Sequence, residues 1–328
     1  MNFTDLKVSD FGEKSLIKLI IRKTQKLQKN HFILGDDAAV LSINNKNLIA
    51  SSDMLIQSRH FPKEMSYNQM GFKSVTVNVS DLAAMGSKPL GFLLNIAIPS
   101  NFLMKNFNDL IRGVLEACKF YNIPLVGGDT NEANEVIISG TALGISKNQF
   151  LKKSGFKNGD LVCVTGKLGL AALGFEILNK DFNCETSKIA ILKVLKPIAK
   201  INEGTSLNSI ASACTDITDG LASELYEILN SDKDSFKGIL IYEEKLAISS
   251  EYKKIAKSIG KNYLKLVLNV GEDFELLFTI SKDNISKLKG NIDFNIIGEV
   301  NNSSKIEIQR IDGGIQNISK EGYNHFIN

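Results

Sequence analysis

Carboxylates beside glycine, serine or threonine recur through most of this sequence: Gly35-Asp36-Asp37, Ser51-Ser52-Asp53, Asn78-Val79-Ser80-Asp81, Gly127-Gly128-Asp129, Asp216-Ile217-Thr218-Asp219 and Gly271-Glu272-Asp273. Each adjoins an apolar run, where strands end and turns begin and where ligand sites are usually built. Brought together, these acids repel one another and need cations to stay ionised. Oxygen-only ligands suit a hard cation such as Mg²⁺, which usually bridges substrate phosphates. The pattern predicts a polyacidic nucleotide site with several magnesium ions. Taken singly, each acid also reads as turn chemistry, and spacing alone does not show that they converge.

The elements that would carry them can be read in order. An amphipathic helix is predicted over 15–29, with His31 after it as a surface residue. The runs 38–43 and 47–52, joined by Asn44-Asn45-Lys46, predict a hairpin that returns Asp53 beside Asp37. A helix over 67–85 puts Asn78 and Asp81 on one face, next to its apolar side, where a carboxylate is costly without a partner. A strand over 89–99, a helix over 106–121 and a short buried strand over 124–126 lead into Gly127-Gly128-Asp129-Thr130. Two glycines there let backbone approach a ligand closely and turn N–H groups toward an anion. Another strand covers 135–146.

A shift to Lys, Asn, Ser and Gly over 147–158 predicts a domain boundary, dividing the chain into 1–150 and 151–328. The second half alternates strand and helix. Asp219 reads as the cap of a helix over 220–229, with Glu224 and Glu227 on its exposed side; Asp216 has no such structural role.

With 328 residues, 43% of them hydrophobic and 23% charged, the chain has the composition of an ordinary globular protein. A net charge of +3, carried by scattered lysines, gives no nucleic-acid footprint. Cys118, Cys163, Cys184 and Cys214 form no C-x-x-C pair, so neither a zinc site nor a disulfide framework is predicted, and Cys118 and Cys163 read as buried thiols. No apolar run reaches the ~18–20 residues of a membrane span, and residues 1–14 do not read as a signal peptide. A cytoplasmic enzyme without membrane partners is expected.

The motifs at 33–38, 77–86, 126–130, 216–221 and 271–276, in this order, resemble those of the thiamine-monophosphate kinase family. Its superfamily includes aminoimidazole ribonucleotide synthetase and selenophosphate synthetase. The resemblance runs from Gly12-Glu13 to His325-Phe326. It implies a two-domain α/β (α+β) fold in which the N-terminal sheet pairs with its copy in a homodimer and ATP lies at that interface. It implies transfer of the ATP γ-phosphoryl group onto thiamine monophosphate, with several Mg²⁺ ions and no protein nucleophile or base. By matched position, Asp37, Ser51, Ser52, Asp53, Asp81, Asp129, Asp216 and Asp219 hold magnesium. Gly128, Asp129, Lys153 and Thr218 touch ATP, and His60, Glu272 and Tyr323 face the thiamine phosphate. Residues 151–328, with the C-terminal tail, complete the substrate site.

Three positions depart from the family pattern. Lys153 stands in the place of an arginine and lacks its bidentate fork. Ile111 stands where an aromatic is frequent, and Ser58 where a glycine is common. The rival readings are another ATP-using synthetase of the superfamily, a non-catalytic nucleotide- or thiamine-phosphate-binding protein, and a cation-binding structural protein.

Overall fold

The computed structural model of the chain describes residue 7 and residues 12–27, 35–147, 149–232 and 236–320. The expectations for His31 and for Tyr323 and its aromatic neighbours fall outside the described residues.

Helix α1 (Glu13–Leu27) precedes the predicted hairpin of β1 (Ala39–Ile43) and β2 (Lys46–Ile56). Asn44 and Asn45 close it at φ 46° and 63°, left-handed values that asparagine tolerates and a two-residue hairpin turn requires. A short helix, α2 (Gln57–His60), leads to α3 (Tyr67–Ala84). The Ser66 side chain caps α3 while Gln69 returns a bond to the Ser66 backbone, which starts the helix despite its β-branched residues. Then come β3 (Lys88–Ile98), α4 (Met104–Phe120), β4 (Leu125–Glu132) and β5 (Ile137–Ser146).

These strands form a sheet of order β1-β2-β5-β3-β4, antiparallel except for β3 with β4. Helices α3 and α4 cover one face, and their shared core includes Phe72, Val75, Leu82, Leu110, Val114 and Ile138. On the other face Leu41, Ile43 and Met54 are exposed. The strand expected to be short and buried at 124–126 differs on both counts. β4 runs on through Gly127-Gly128-Asp129 to Glu132 and is exposed at every residue, because it is an edge strand paired only with β3.

The second sheet, of order β12-β11-β8-β10-β6-β9-β7, draws on residues 161–317. Its strands are β6 (Leu161–Thr165), β7 (Ala213–Asp216), β8 (Gly238–Tyr242), β9 (Leu276–Ile280), β10 (Phe294–Asn301), β11 (Ile306–Gln309) and β12 (Ile315–Asn317). Helices α5 (Leu170–Ile177), α6 (Glu185–Leu195), α7 (Ile201–Leu207), α8 (Leu221–Ser231), α9 (Ser250–Ser258) and α10 (Tyr263–Asn269) accompany it. Sequence reading missed α2, α7, α10, β11 and β12, whose short runs carry little periodicity.

Helix α3 is buried along almost its whole length. It packs on β5, β2 and α4 on one side and on α7 and β7 on the other. A Cβ on Gly204 of α7 would lie 2.0 Å from the Ala83 carbonyl oxygen, so the two backbones nearly touch. Tyr121 adds a polar link: its hydroxyl accepts from Ala199 N at 2.9 Å and lies 3.0 Å from Thr76 Oγ1. α3 is thus the wall common to both halves.

Candidate active site

Strand alternation and helix periodicity bring the predicted acids onto this wall. Ser51 and Asp53 are two apart on β2 and point to the face that α3 covers. Asp81 lies near the end of α3 and Asp216 is the last residue of β7. Asp37 sits in the turn before β1. Oxygens of Asp37, Asp81 and Asp216 all lie within 4.8 Å of one another. Small polar side chains from both halves hold them. Ser51 Oγ donates to Asp81, and Ser80 Oγ donates to Asp216 Oδ2 at 2.5 Å. Thr215 Oγ1 donates to Asp37 Oδ1 at 3.0 Å, and Asp53 N donates to the Asn78 side-chain oxygen at 2.9 Å.

The cluster is short of positive charge. Burial, then the neighbouring charge of Asp37, pushes Asp216 up from 3.8 to about 7. Burial, then Asp216 and Asp53, holds Asp81 well above the ordinary carboxylate range. Burial also raises Asp53, tempered by its hydrogen bond with Asp81. Lys153 Nζ lies 2.8 Å from Asp37 Oδ1. Burial opposes the charge on Lys153, but the carboxylate of Asp37 outweighs it and raises the ammonium above its ordinary value.

Even so, Asp37 Oδ2 is buried and accepts no hydrogen bond from the described residues. A buried carboxylate oxygen without a donor is costly, and a cation at the centre of three converging carboxylates would remove that cost. The donors are all oxygens, the set that Mg²⁺ takes. The residues present therefore fit the predicted metal.

Not every predicted ligand joins this group. The Ser52 side chain points to the opposite sheet face, where its hydroxyl donates to the Gly140 carbonyl at 3.0 Å. Asp129 is exposed on β4, three strand spacings or about 14 Å from β2 across the sheet. Gly128 has φ 150°, and a Cβ there would lie 1.7 Å from the Leu94 carbonyl oxygen, so only glycine fits so close to β3.

Asp219 does not cap α8. Gly220 occupies the cap position with no side-chain bond, and the Asp219 carboxylate instead lies 3.7 Å from Lys14 Nζ of α1. Glu224, expected on an exposed face, is buried because that turn of α8 faces the cluster. Its Oε1 accepts from Asp219 N at 3.2 Å, and burial raises it well above its ordinary value.

Two of the residues expected at the substrate, His60 and Glu272, lie along the same wall. The imidazole Nδ1 of His60 accepts from Ile56 N at 2.9 Å. Glu272 stands at φ 65° in the loop after α10, where its N–H donates to the Thr218 carbonyl at 2.9 Å. That bond ties the expected substrate residue to the expected nucleotide residue.

Residue-by-residue reading assigned no role to two further groups. Asp36 is pushed up to about 6 by burial, then by Asp37, and accepts from Lys153 N at 3.2 Å. Lys73, next to Phe72 on the buried helix α3, is fully buried and pairs with Glu272 at 2.7 Å. A lone lysine among Phe72, Val75 and Val79 was a readable signal, because a buried ammonium must have an anionic partner.

Known proteins share this fold. Residues 35–146 match the family model of the AIR synthase related protein, N-terminal domain. The thiamine-monophosphate kinase of Pyrococcus abyssi is 41% identical over 279 residues, 84% of this chain and 86% of the relative. That of Pyrococcus horikoshii is 38% identical over 302 residues, 92% of each chain. The solved structure of AaThiL complexed with AMPPCP and TMP superposes with a TM-score of 0.86 at 30% identity, over 98% of this chain and 99% of that one. Sequence identity at this level over nearly the whole length, on the same two-sheet frame with its acids converging, makes the chain a member of the thiamine-monophosphate kinase family.

Proposed function

We propose that the chain transfers the γ-phosphoryl group of ATP directly onto the phosphate of thiamine monophosphate, giving thiamine diphosphate and ADP, with Mg²⁺ held by its converging acids. The observation that carries this reading is the group Asp37, Asp81 and Asp216, with its donorless buried oxygen. The ligands named for the AaThiL structure, AMPPCP and TMP, support the choice of donor and acceptor.

Phosphoryl transfer between two phosphates asks for charge neutralisation and in-line placement more than for a base. The attacking atom is already an anionic phosphate oxygen, so no hydroxyl or thiol needs activation. Asp37, Asp81 and Asp216, with Ser51 and Asp53 beside them and Asp219 further along the loop from Asp216, would hold Mg²⁺, which supplies electrostatic stabilisation of the transferring group. Ser51, Ser80 and Thr215 orient the carboxylates by donating to them. Lys153, now on Asp37, is the chain's own cation for the nucleotide phosphates, and Gly128, Asp129 and Thr218 are assigned to the nucleotide. Glu272, His60 and Tyr323 are assigned to the acceptor.

Ser52 and Asp129 share the open sheet face, and their assignment to magnesium goes with a homodimer in which a second copy covers that face. The exposed Leu41, Ile43, Met54 and Val126 support such a cover, since an apolar sheet face left to water is unfavourable. Residues 1–150 are read as the nucleotide and pairing domain and 151–328 as the domain that completes the acceptor site. A cytoplasmic setting goes with the buried free thiols of Cys118, Cys163 and Cys214.

The test is ³¹P NMR of the purified protein with ATP, Mg²⁺ and thiamine monophosphate, with an EDTA control. Thiamine diphosphate and ADP should appear together and vanish with EDTA. Free phosphate without thiamine diphosphate would sink the acceptor assignment.

A further inference from the structure

Lys73 lies in the middle of α3 with none of its surface exposed. Its Nζ donates to both carboxylate oxygens of Glu272, each at 2.7 Å, and to the His60 carbonyl oxygen at 2.9 Å. These bonds occupy the three donors of an ammonium. His60 ends α2 in the first half and Glu272 lies in a loop of the second, so one buried cation joins the two segments assigned to the acceptor.

Glu272 needs such an anchor. Its φ of 65° is a backbone conformation that residues with a Cβ rarely adopt. Gly271 before it packs so tightly that a Cβ would lie 1.8 Å from the Thr218 carbonyl oxygen. The Glu272 backbone is therefore pinned to the Asp216–Asp219 loop and its side chain to α3. The ammonium is fully buried while the Glu272 side chain keeps 28% of its surface. The pair can therefore be reached from the Glu272 side alone. A bare carboxylate there would repel an anionic acceptor; paired with Lys73 it carries little net charge and still offers lone pairs to donors on the ligand.

We propose that Lys73 is a positioning residue of the acceptor site. It fixes the Glu272 carboxylate and the His60 main chain relative to each other and cancels the Glu272 charge, so that acceptor binding depends on it and nucleotide binding does not. This rests on the assignment of Glu272 and His60 to thiamine monophosphate.

The test compares wild type, Lys73→Met, Glu272→Gln and the double variant in steady-state kinetics against each substrate, with melting temperature as a folding control. Lys73→Met should raise KM for thiamine monophosphate about tenfold or more and change KM for ATP by no more than about twofold, as expected when a charged hydrogen-bond donor is removed from one subsite. The double variant should be no worse than the worse single one, because Lys73 acts through Glu272. Equal effects on both substrates, additive singles, or an unchanged KM for thiamine monophosphate would overturn the proposal. Should Lys73→Met not fold, Lys73→Gln keeps two donors without the charge and carries the same comparison; failure of both to fold would assign Lys73 to the core alone. Wild-type protein that makes no thiamine diphosphate would sink the functional reading instead, whatever the variants do.

Discussion

Asp216, the last residue of β7, and Glu275, just before β9, are both buried acids and lie close together, since Asp216 pairs in register with Leu276. Their surroundings are opposite. Glu275 Oε1 accepts from Lys193 Nζ at 2.6 Å, and Oε2 from Thr165 Oγ1 at 2.8 Å, with Lys200 Nζ at 3.3 Å. Asp273 beside it takes backbone N–H bonds from Gly169 at 2.6 Å and Ala171 at 3.2 Å. On that side every acid has its donors, and the result is a closed structural knot between α5, α6 and β9. Asp216 has Ser80 and the charge of Lys153, which is bonded to Asp37, and otherwise faces Asp37 and Asp81. Burial is common to both groups. What separates a structural acid from one awaiting a ligand is whether its negative charge is already compensated.

Breaking each side of the comparison should give opposite phenotypes. Asp216→Asn and Asp81→Asn should lower thiamine diphosphate production by about 10²–10³-fold, the scale for losing a group that stabilises transition-state charge. Their melting temperature in EDTA should match or exceed wild type, because a buried repulsion has been relieved. An active Asp216→Asn enzyme would remove the metal role. Glu275→Gln should do the reverse, costing about 2–3 kcal/mol in denaturant unfolding by weakening a buried charge-assisted network, while the folded fraction keeps its turnover.

The pH dependence of the metal-free protein reports burial on both sides, with the larger rise at Asp216. Asp36, Asp273 and Asp216 rise from 3.8 to about 6, about 6 and about 7 on folding, so between the two ends of each shift the folded protein binds more protons than the unfolded chain. Their contribution to stability is complete below pH 3.8 and is lost as pH rises through 6 to 7. The melting temperature in EDTA should therefore fall between pH 5.5 and pH 8, and fall less in Asp216→Asn. Added Mg²⁺ should recover most at the alkaline end. A flat profile would contradict uncompensated carboxylates. The smallest effect is expected from Lys153→Arg, which restores the bidentate fork and should lower KM for ATP by about two- to fivefold.

Much of the site was legible before folding. Asp37, Asp53, Asp81 and Asp216 stood out because each sits at a small-residue break in an apolar run, and the Asn44-Asn45 turn already implied that the first two are neighbours. Asp219 was misread because α8 starts at Leu221, so Gly220 takes the cap position and the Asp219 carboxylate goes to Lys14; Glu224 was misread for another reason. Helical spacing gives the angle of a side chain around α8, but not which neighbour covers that angle, and here the covering neighbour is the acidic cluster itself. Gly127-Gly128-Asp129 was taken for a turn after a strand, whereas pairing with β3 draws it into β4.

The sequence by itself determined the residue chemistry: oxygen-only acids, small hydroxyl neighbours, and strands and helices whose period sets which side chains share a face. It could not say which acids keep a free charge. Asp273 and Glu275 read just like Asp216 in the chain, being acids beside apolar strand residues. Only the tertiary structure decided between them, by bringing Lys193 and Lys200 to one set and further carboxylates to the other. Coulomb energy falls off over a few ångströms, and partners 75 to 178 residues apart in sequence come that close only when the chain has folded.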